Sequence, residues 1–374
     1  MAPTINETQS ASGSTLELVS RLGHGGMGEV FLARRHTFGG VSKLFALKRL
    51  LPQLESNGAF AELLLAEARL VSMVSHPNVC QVFDVGVLDG RYYMLMEHLH
   101  GFSVARLFAS LRSGKPADVR FIAGLIVQVC EALHYCHELR DENGESLELI
   151  HRDVSPANLF ITVHGVVKLL DFGVAKTKGP GERTRVGVVK GKPAYVAPEV
   201  LSTRSPDRRA DVFSLGVVLW ELLTGQRLFL RADPMATFKA VRTHQPENVA
   251  ALRADVSSGL AAVIERALSR DPESRFATAR DFGRAIANTV TGGPMSVIEI
   301  AAALRGPAAP PEDANTLVVS APEPDEMPCG TPTALDGQEP SVSATAPRRT
   351  ARVMSLLAAS SLLAAAVVSS LLIL

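Results

Sequence analysis

Alternating apolar and polar positions run through the first hundred residues and predict strands. Leu16–Leu22 and Glu29–Ala33 each read as a strand. Leu44–Arg49 follows with a period of two that puts Ala46 and Lys48 on one face. The period then changes. Phe60, Leu63, Leu64, Glu67, Leu70, Val71 and Val74 recur at helical spacing and form one stripe, with Glu62 pointing roughly the other way. Further along, Leu159–Val163 and Val166–Leu170 read as two strands, and His164-Gly165 between them predicts a two-residue hairpin turn. Turn signals continue at regular intervals, so residues 15–290 are expected to be globular, behind a polar lead at 1–14 that is expected to be disordered.

The pattern breaks after that. Residues 306–347 hold nine prolines, seven acidic residues and no Lys or Arg, a composition that cannot support a packed core and predicts a disordered linker. Residues 353–374 then run uncharged for 22 residues. As a helix they would span about 33 Å, close to the hydrocarbon thickness of a bilayer. Arg348, Arg349 and Arg352 precede them, which keeps the preceding side cytoplasmic. The expectation is a single-pass tail anchor in the cell membrane.

Composition changes this picture little. With 374 residues and 47% apolar content, one large or two smaller cores can form. The 38 basic and 38 acidic residues cancel, so nothing points to nucleic acid as a partner. Cys80, Cys130, Cys136 and Cys329 show no metal-ligand spacing, which fits a reducing compartment.

Candidate chemistry begins at Leu22-Gly23-His24-Gly25-Gly26-Met27-Gly28-Glu29-Val30. Glycines between two strands let backbone lie close over phosphates, although taken alone they also fit a plain tight turn. Lys48 taken alone is a surface lysine. Glu67 alters that reading, because a carboxylate inside an apolar stripe is costly without a cationic partner, and Lys48 is the natural candidate. The most specific run is His151-Arg152-Asp153 with Asn158 and Asp171. A two-residue turn pairs Val163 with Val166 and, at the open end, Asn158 with Asp171. One amide oxygen and one carboxylate there suit magnesium, with substrate phosphates completing the shell. Asp153, five residues before Asn158, is placed to accept the proton of an incoming hydroxyl.

The ordered set Gly23-x-Gly25-x-x-Gly28, Lys48, Glu67, His151-Arg152-Asp153, Asn158, Asp171-Phe172-Gly173 and Ala197-Pro198-Glu199 resembles the eukaryotic-like (Hanks-type) bacterial serine/threonine protein kinases. The resemblance covers residues 16–290. It implies an α+β, two-lobed protein kinase fold, with a β-rich N-lobe at 16–97, a hinge at Glu97-His98-Leu99 after Met96, and a helical C-lobe at 101–290. It implies ATP and Mg2+ (or Mn2+ in its place) as cofactors and protein substrates as partners. Leu22, Gly23, His24, Gly25, Gly26, Met27, Gly28, Val30, Ala46, Lys48, Met96, Glu97 and Leu99 would line the ATP site, and Asn158 and Asp171 would hold the metal. Asp211-Val212-Phe213-Ser214-Leu215-Gly216 would open a central buried helix, and Arg275 would pair with Glu199.

Two positions depart from the family pattern. Where most serine/threonine members carry a lysine after the catalytic aspartate, this chain has Ser155, and where they carry a threonine after Gly191 it has Lys192. The expectation is an exchange, in which Lys192 supplies the positive charge on the transferring phosphate and Ser155 is its hydrogen-bond partner. Arg152 resembles the arginine of kinases whose activation segment is ordered by phosphate; Thr184 is the candidate acceptor and Thr177 the alternative. Arg140–Leu149 makes a long connection with a surface turn at Asn143-Gly144. The competing reading is a pseudokinase scaffold, which would bind nucleotide or partners without turnover. Tethered copies are expected to self-associate for trans-autophosphorylation.

Overall fold

In the N-terminal half, a single antiparallel sheet presents two unlike faces. The computed structural model describes residues 8–9, 15–24, 28–51, 58–172, 192–201 and 206–305. Six strands, β1 (Thr8–Gln9), β2 (Thr15–His24), β3 (Gly28–His36), β4 (Ser42–Leu50), β5 (Val82–Leu88) and β6 (Arg91–Glu97), lie in the order β1-β2-β3-β4-β6-β5. Val30 pairs with Lys48 and Lys48 with Met94, while Ala46 pairs with Met96. Directly paired residues share a face, so Val30, Ala46, Lys48, Met94 and Met96 look the same way, as the alternation predicts. Leu16, Ala33, Phe45, Leu47, Tyr93 and Leu95 fill the other face as a small separate core. Helix α1 (Gly58–Ser72) packs on β5 and β6. Leu64, Val71 and Val74 are buried and Glu62 is exposed, again as the stripe predicts.

The chain crosses from Glu97 to a second, three-stranded sheet of β7 (Gly101–Ser103), β8 (Leu159–Thr162) and β9 (Val167–Leu169), in the order β7-β8-β9. Its hairpin departs from the expected two-residue turn. Leu159 pairs with Leu169, Phe160 with Lys168 and Ile161 with Val167. Thr162 and Val166 close a three-residue loop in which Gly165 adopts φ 81°. A left-handed glycine at the third loop position adds one residue to the turn, so each partner shifts by one and Asn158 faces Leu170 instead of Asp171.

Helices build the rest: α2 (Val104–Ser113), α3 (Val119–His137), α4 (Arg209–Thr224), α5 (Pro234–Thr243), α6 (Val249–Leu252), α7 (Ser258–Ala267), α8 (Ala279–Thr289) and α9 (Val297–Leu304). Every residue from Ala210 to Leu223 of α4 is buried, so this helix is the hub, and Gly225 at φ 69° ends it. Helix α3 starts on an Asp118 cap. It is the one helix among the described residues long and apolar enough to cross a bilayer, and two-thirds of it is buried inside the helical lobe. Asn143-Gly144 forms the expected exposed turn, with Gly144 at φ 83°.

Helical structure runs past residue 290. Ser296 and Glu299 form a reciprocal capping box at the start of α9, and Arg120 ties the segment down through the Gly293 carbonyl (2.9 Å) and Glu299 (3.1 Å). The expected lead at 1–14 (apart from Thr8–Gln9), linker at 306–347 and helix at 353–374 lie outside the described residues, as do Gly25, Gly26, Met27, Gly173, Thr177 and Thr184.

Candidate active site

Three charged side chains from three elements meet where the two sheets face each other. Lys48 Nζ of β4 lies 2.6 Å from Asp171 Oδ1 and 3.6 Å from Glu67 Oε1 of α1. All three are largely withdrawn from water, Lys48 and Glu67 being about 15% exposed. Burial alone would lower the Lys48 pKa, but the charges of Asp171 and Glu67 outweigh it, so the ammonium is held above its ordinary value. For Glu67 the balance goes the other way. Burial, aided by repulsion from Asp171, pushes its carboxyl up to about 7 against the pull of Lys48. The site thus carries two carboxylates on one ammonium, an arrangement that a further cation would relieve.

The loop before β8 is held from below by Asp211, the third residue of α4. Asp211 Oδ2 accepts the His151 backbone N–H and His137 Nε2–H, and Oδ1 accepts the Arg152 N–H, each at 2.8 Å. Burial pushes the Asp211 carboxyl up, but the His137 hydrogen bond and neighbouring positive charge outweigh it and keep it below the ordinary carboxylate range. Arg152 sits at φ 64°, a left-handed conformation that costs a side-chain-bearing residue about 1–2 kcal/mol. The Asp211 bond holds it there. His151 is fully buried, and its Nε2 faces the Leu170 carbonyl at 2.8 Å. A carbonyl only accepts, so Nε2 carries the proton and Nδ1 takes the Asp153 N–H at 3.3 Å. Phe172 packs on the same ring at 4.7 Å between centroids.

Asn158 is tied to Asp153. Its amide nitrogen donates to the Asp153 carbonyl (2.8 Å) and to Asp153 Oδ2 (2.9 Å). With both N–H groups spent on Asp153, the Asn158 oxygen is the end that can face a cation. Asp171 follows Leu170, whose N–H donates to the Asn158 carbonyl at 2.9 Å, and turns out of the ladder at φ 44°. The ladder therefore does not place Asn158 and Asp171 opposite each other. The backbone turn at Asp171 brings that carboxylate to Lys48. One carboxylate oxygen pair and one amide oxygen fit magnesium, whose remaining positions go to water and phosphate oxygens.

Above these groups, Val30 and Ala46 are fully buried and Met96 and Leu99 nearly so. Leu22, Gly23 and His24 end β2, and Gly28 opens β3 where a Cβ would fall 2.6 Å from the Arg49 carbonyl oxygen. Glu97 turns its side chain away from the cleft, in keeping with the backbone role expected of the hinge. Its partner in the sheet is Phe45, on the face away from Lys48, and its carboxylate meets Lys168 at 2.7 Å while its N–H donates to Gln81. Only its carbonyl edge is left for a ligand in the cleft.

Ser155 is fully buried, and its hydroxyl has no hydrogen-bond partner among the described residues. The expected Ser155–Lys192 bond is therefore not formed. Lys192 is half-buried and precedes the Pro193–Tyr195 turn. That turn is bolted to α4: Ser214 Oγ donates to the Tyr195 carbonyl and the Tyr195 hydroxyl to Glu221, both at 2.7 Å. Arg275, fully buried, meets Glu199 with two parallel bonds of 2.7 Å, the pairing expected. Sequence reasoning missed His137 and the holding role of Asp211. A carboxylate in an all-apolar helix was the available signal for Asp211, and none marked His137.

The chain matches the protein kinase domain family over residues 16–284. It is 40% identical over 272 residues to the tyrosine-protein kinase MasK of Myxococcus xanthus, covering 72% of this chain and 42% of that protein. It is 33% identical to the serine/threonine-protein kinase Pkn1 of Myxococcus xanthus, covering 73% and 38%. With the serine/threonine-protein kinase PknB of Mycolicibacterium smegmatis the figures are 32%, 71% and 41%. The chain thus spans about two-fifths of the length of these relatives. Among solved structures, the Mycobacterium tuberculosis PknI kinase domain is similar with a TM-score of 0.57 and 26% identity, covering 78% of this chain and all of that one.

Proposed function

The chain belongs to the protein kinase family, and from that premise we propose that it moves the γ-phosphoryl group of ATP onto serine and threonine hydroxyls of other proteins. The observation that carries this reading is the meeting of Lys48, Glu67 and Asp171 beside the Asp153–Asn158 pair. In this reading Lys48, steadied by Glu67, holds the α- and β-phosphates, and Asp171 and Asn158 hold Mg2+. The bound ion supplies charge neutralisation on the phosphate oxygens. Asp153 accepts the proton of the attacking hydroxyl. Val30, Ala46, Met96, Leu99 and the Glu97 carbonyl surround adenine, under the Leu22–Gly28 turn. Lys192 supplies the charge that other serine/threonine members take from the position of Ser155. The platform from Tyr195 to Glu199 holds the protein substrate.

Intact lysine and carboxylates weigh against a pseudokinase. Tyrosine transfer is a second reading, favoured by the name of the 40% identical relative and by Ser155 in the lysine's place. Membrane tethering through residues 353–374, self-association, and a phosphate on Thr184 or Thr177 facing Arg152 complete the proposal. One experiment tests the core of it. The purified chain is incubated with labelled ATP, Mg2+ and a protein acceptor, and the acid hydrolysate is resolved into phosphoamino acids. Phosphoserine and phosphothreonine that vanish in Asp153→Asn support the reading. Phosphotyrosine alone transfers it to the second reading, and no label in either protein leaves the pseudokinase.

A further inference from the structure

A cavity lies on the sheet face opposite Lys48. It holds about 470 Å3, and Lys43, Phe45, His76, Phe83, Glu97 and Lys168 contribute to its walls. The register explains the placement, since Phe45 and Glu97 are direct partners on that outer face. Its charge is unbalanced. Lys168 is neutralised by Glu97 at 2.7 Å. Lys43 has no carboxylate partner among the described residues, and its ammonium stands 5.5 and 5.3 Å from the Phe45 and Phe83 ring centres. Burial lowers the pKa of His76, which accepts the Asn78 N–H, and of His98, so neither adds a fixed charge of its own. Phe83 is 48% exposed and Leu44 37%. The walls therefore suit an extended segment that brings a carboxylate and aliphatic side chains together.

The chain contains such a segment close at hand. Residues 312–326 (EDANTLVVSAPEPDE) carry five carboxylates and no cation, with Leu317-Val318-Val319 between the acidic clusters. The folded part delivers it nearby. Helix α9 rests on the β8–β9 turn, so closely that a Cβ on Gly165 would lie 2.2 Å from the Val297 carbonyl oxygen. Lys168 of the cavity wall is three residues, roughly 10 Å, along that hairpin. From Arg305, the end of the described chain, residues 306–311 extend up to about 20 Å.

We propose that residues 312–326 dock in this cavity of their own chain, with a carboxylate on Lys43 and Leu317-Val318-Val319 against Phe45 and Phe83. A tether this short holds the segment at an effective concentration on the order of millimolar, so weak contacts suffice. Occupation would brace the Glu97–Lys168 pair from behind and leave the Lys48 face open. The proposal does not depend on the kinase reading.

Zero-length carbodiimide coupling of the full chain tests it, because only a lysine in contact with a carboxylate forms the isopeptide bond. The expected product joins Lys43 to Glu312, Asp313, Glu323, Asp325 or Glu326 within one molecule, at a yield independent of protein concentration. Replacing Leu317, Val318 and Val319 together by Ser, which removes the apolar contact and adds no carboxylate, should lower that yield at least fivefold without altering thermal unfolding. No such product overturns the proposal, and so does a yield unchanged in the triple variant. Products found only between isotopically distinct chains in a mixture would assign the cavity to a second copy instead.

Discussion

Replacing Asp211 by Asn keeps its shape and removes its charge, and the structure sets the expected cost. The carboxylate accepts three hydrogen bonds of 2.8 Å, two on one oxygen and one on the other. Asparagine has one acceptor oxygen. Its better orientation keeps His137 and the His151 N–H and turns the amide nitrogen toward the Arg152 N–H. That loses one charge-assisted bond, worth about 1.5–3 kcal/mol, and leaves a buried donor facing a donor, about 1–3 kcal/mol more. It also releases the residue held at φ 64°. Part of that loss is recovered by relaxation of Arg152, so the net destabilisation should be roughly 3–5 kcal/mol, a large part of the 5–15 kcal/mol typical of a domain. Urea unfolding at neutral pH reads this directly. Turnover should fall more than the KM for ATP rises, because Asp153 moves with Arg152 while Lys48 stays. The depressed Asp211 pKa adds a pH signature. Its stabilisation is present above the ordinary carboxylate value and is lost as pH falls through the depressed one, so wild type and variant should converge in acid. A loss below about 1 kcal/mol with turnover unchanged would refute the account of Asp211 as the support of this loop.

Other expectations concern the site and its back support. Glu67 rises from 4.5 to about 7 in the folded chain, so its contribution is most favourable below 4.5 and is lost as pH rises through 7. Thermal stability should therefore drop between pH 4.5 and 8 by at most about 3 kcal/mol, and Glu67→Gln should flatten that limb; an unchanged slope in the variant would show that another group titrates. Ser155→Ala removes a buried hydroxyl without a partner and should be neutral or stabilising by up to about 1 kcal/mol, whereas Lys192→Ala should cut turnover on the order of tenfold. Equal turnover in Lys192→Ala and wild type would remove Lys192 from the mechanism. Gly165→Ala meets both a left-handed φ and the Val297 carbonyl, and should cost about 2 kcal/mol or more. Amide exchange across Val297–Leu304 should then accelerate, and unchanged protection would show that α9 does not rest on that turn.

Much of this protein was legible from local pattern. Period-two alternation put Ala46 and Lys48 on one face, and helical spacing put Glu67 inside an apolar stripe, because side-chain direction along a strand or helix repeats with fixed geometry. A carboxylate in that stripe called for a cation, and Lys48 answers it at 3.6 Å. Glu199 and Arg275 were paired in advance through the family resemblance alone. By itself, then, the sequence determined the lobes, the hub helix and the identity of the charged groups at their seam.

Only the tertiary structure decided how those groups meet. The β8–β9 register turned on one backbone angle at Gly165, and a one-residue slip reassigns every partner. Asp171 reaches Lys48 through a left-handed turn that no alternation encodes. His137 and Asp211, 74 positions apart, join only when α3 packs against α4. The reason is one of range: periodicity reports which way a side chain faces within its own element, whereas contact between elements depends on turns and packing summed over the whole chain.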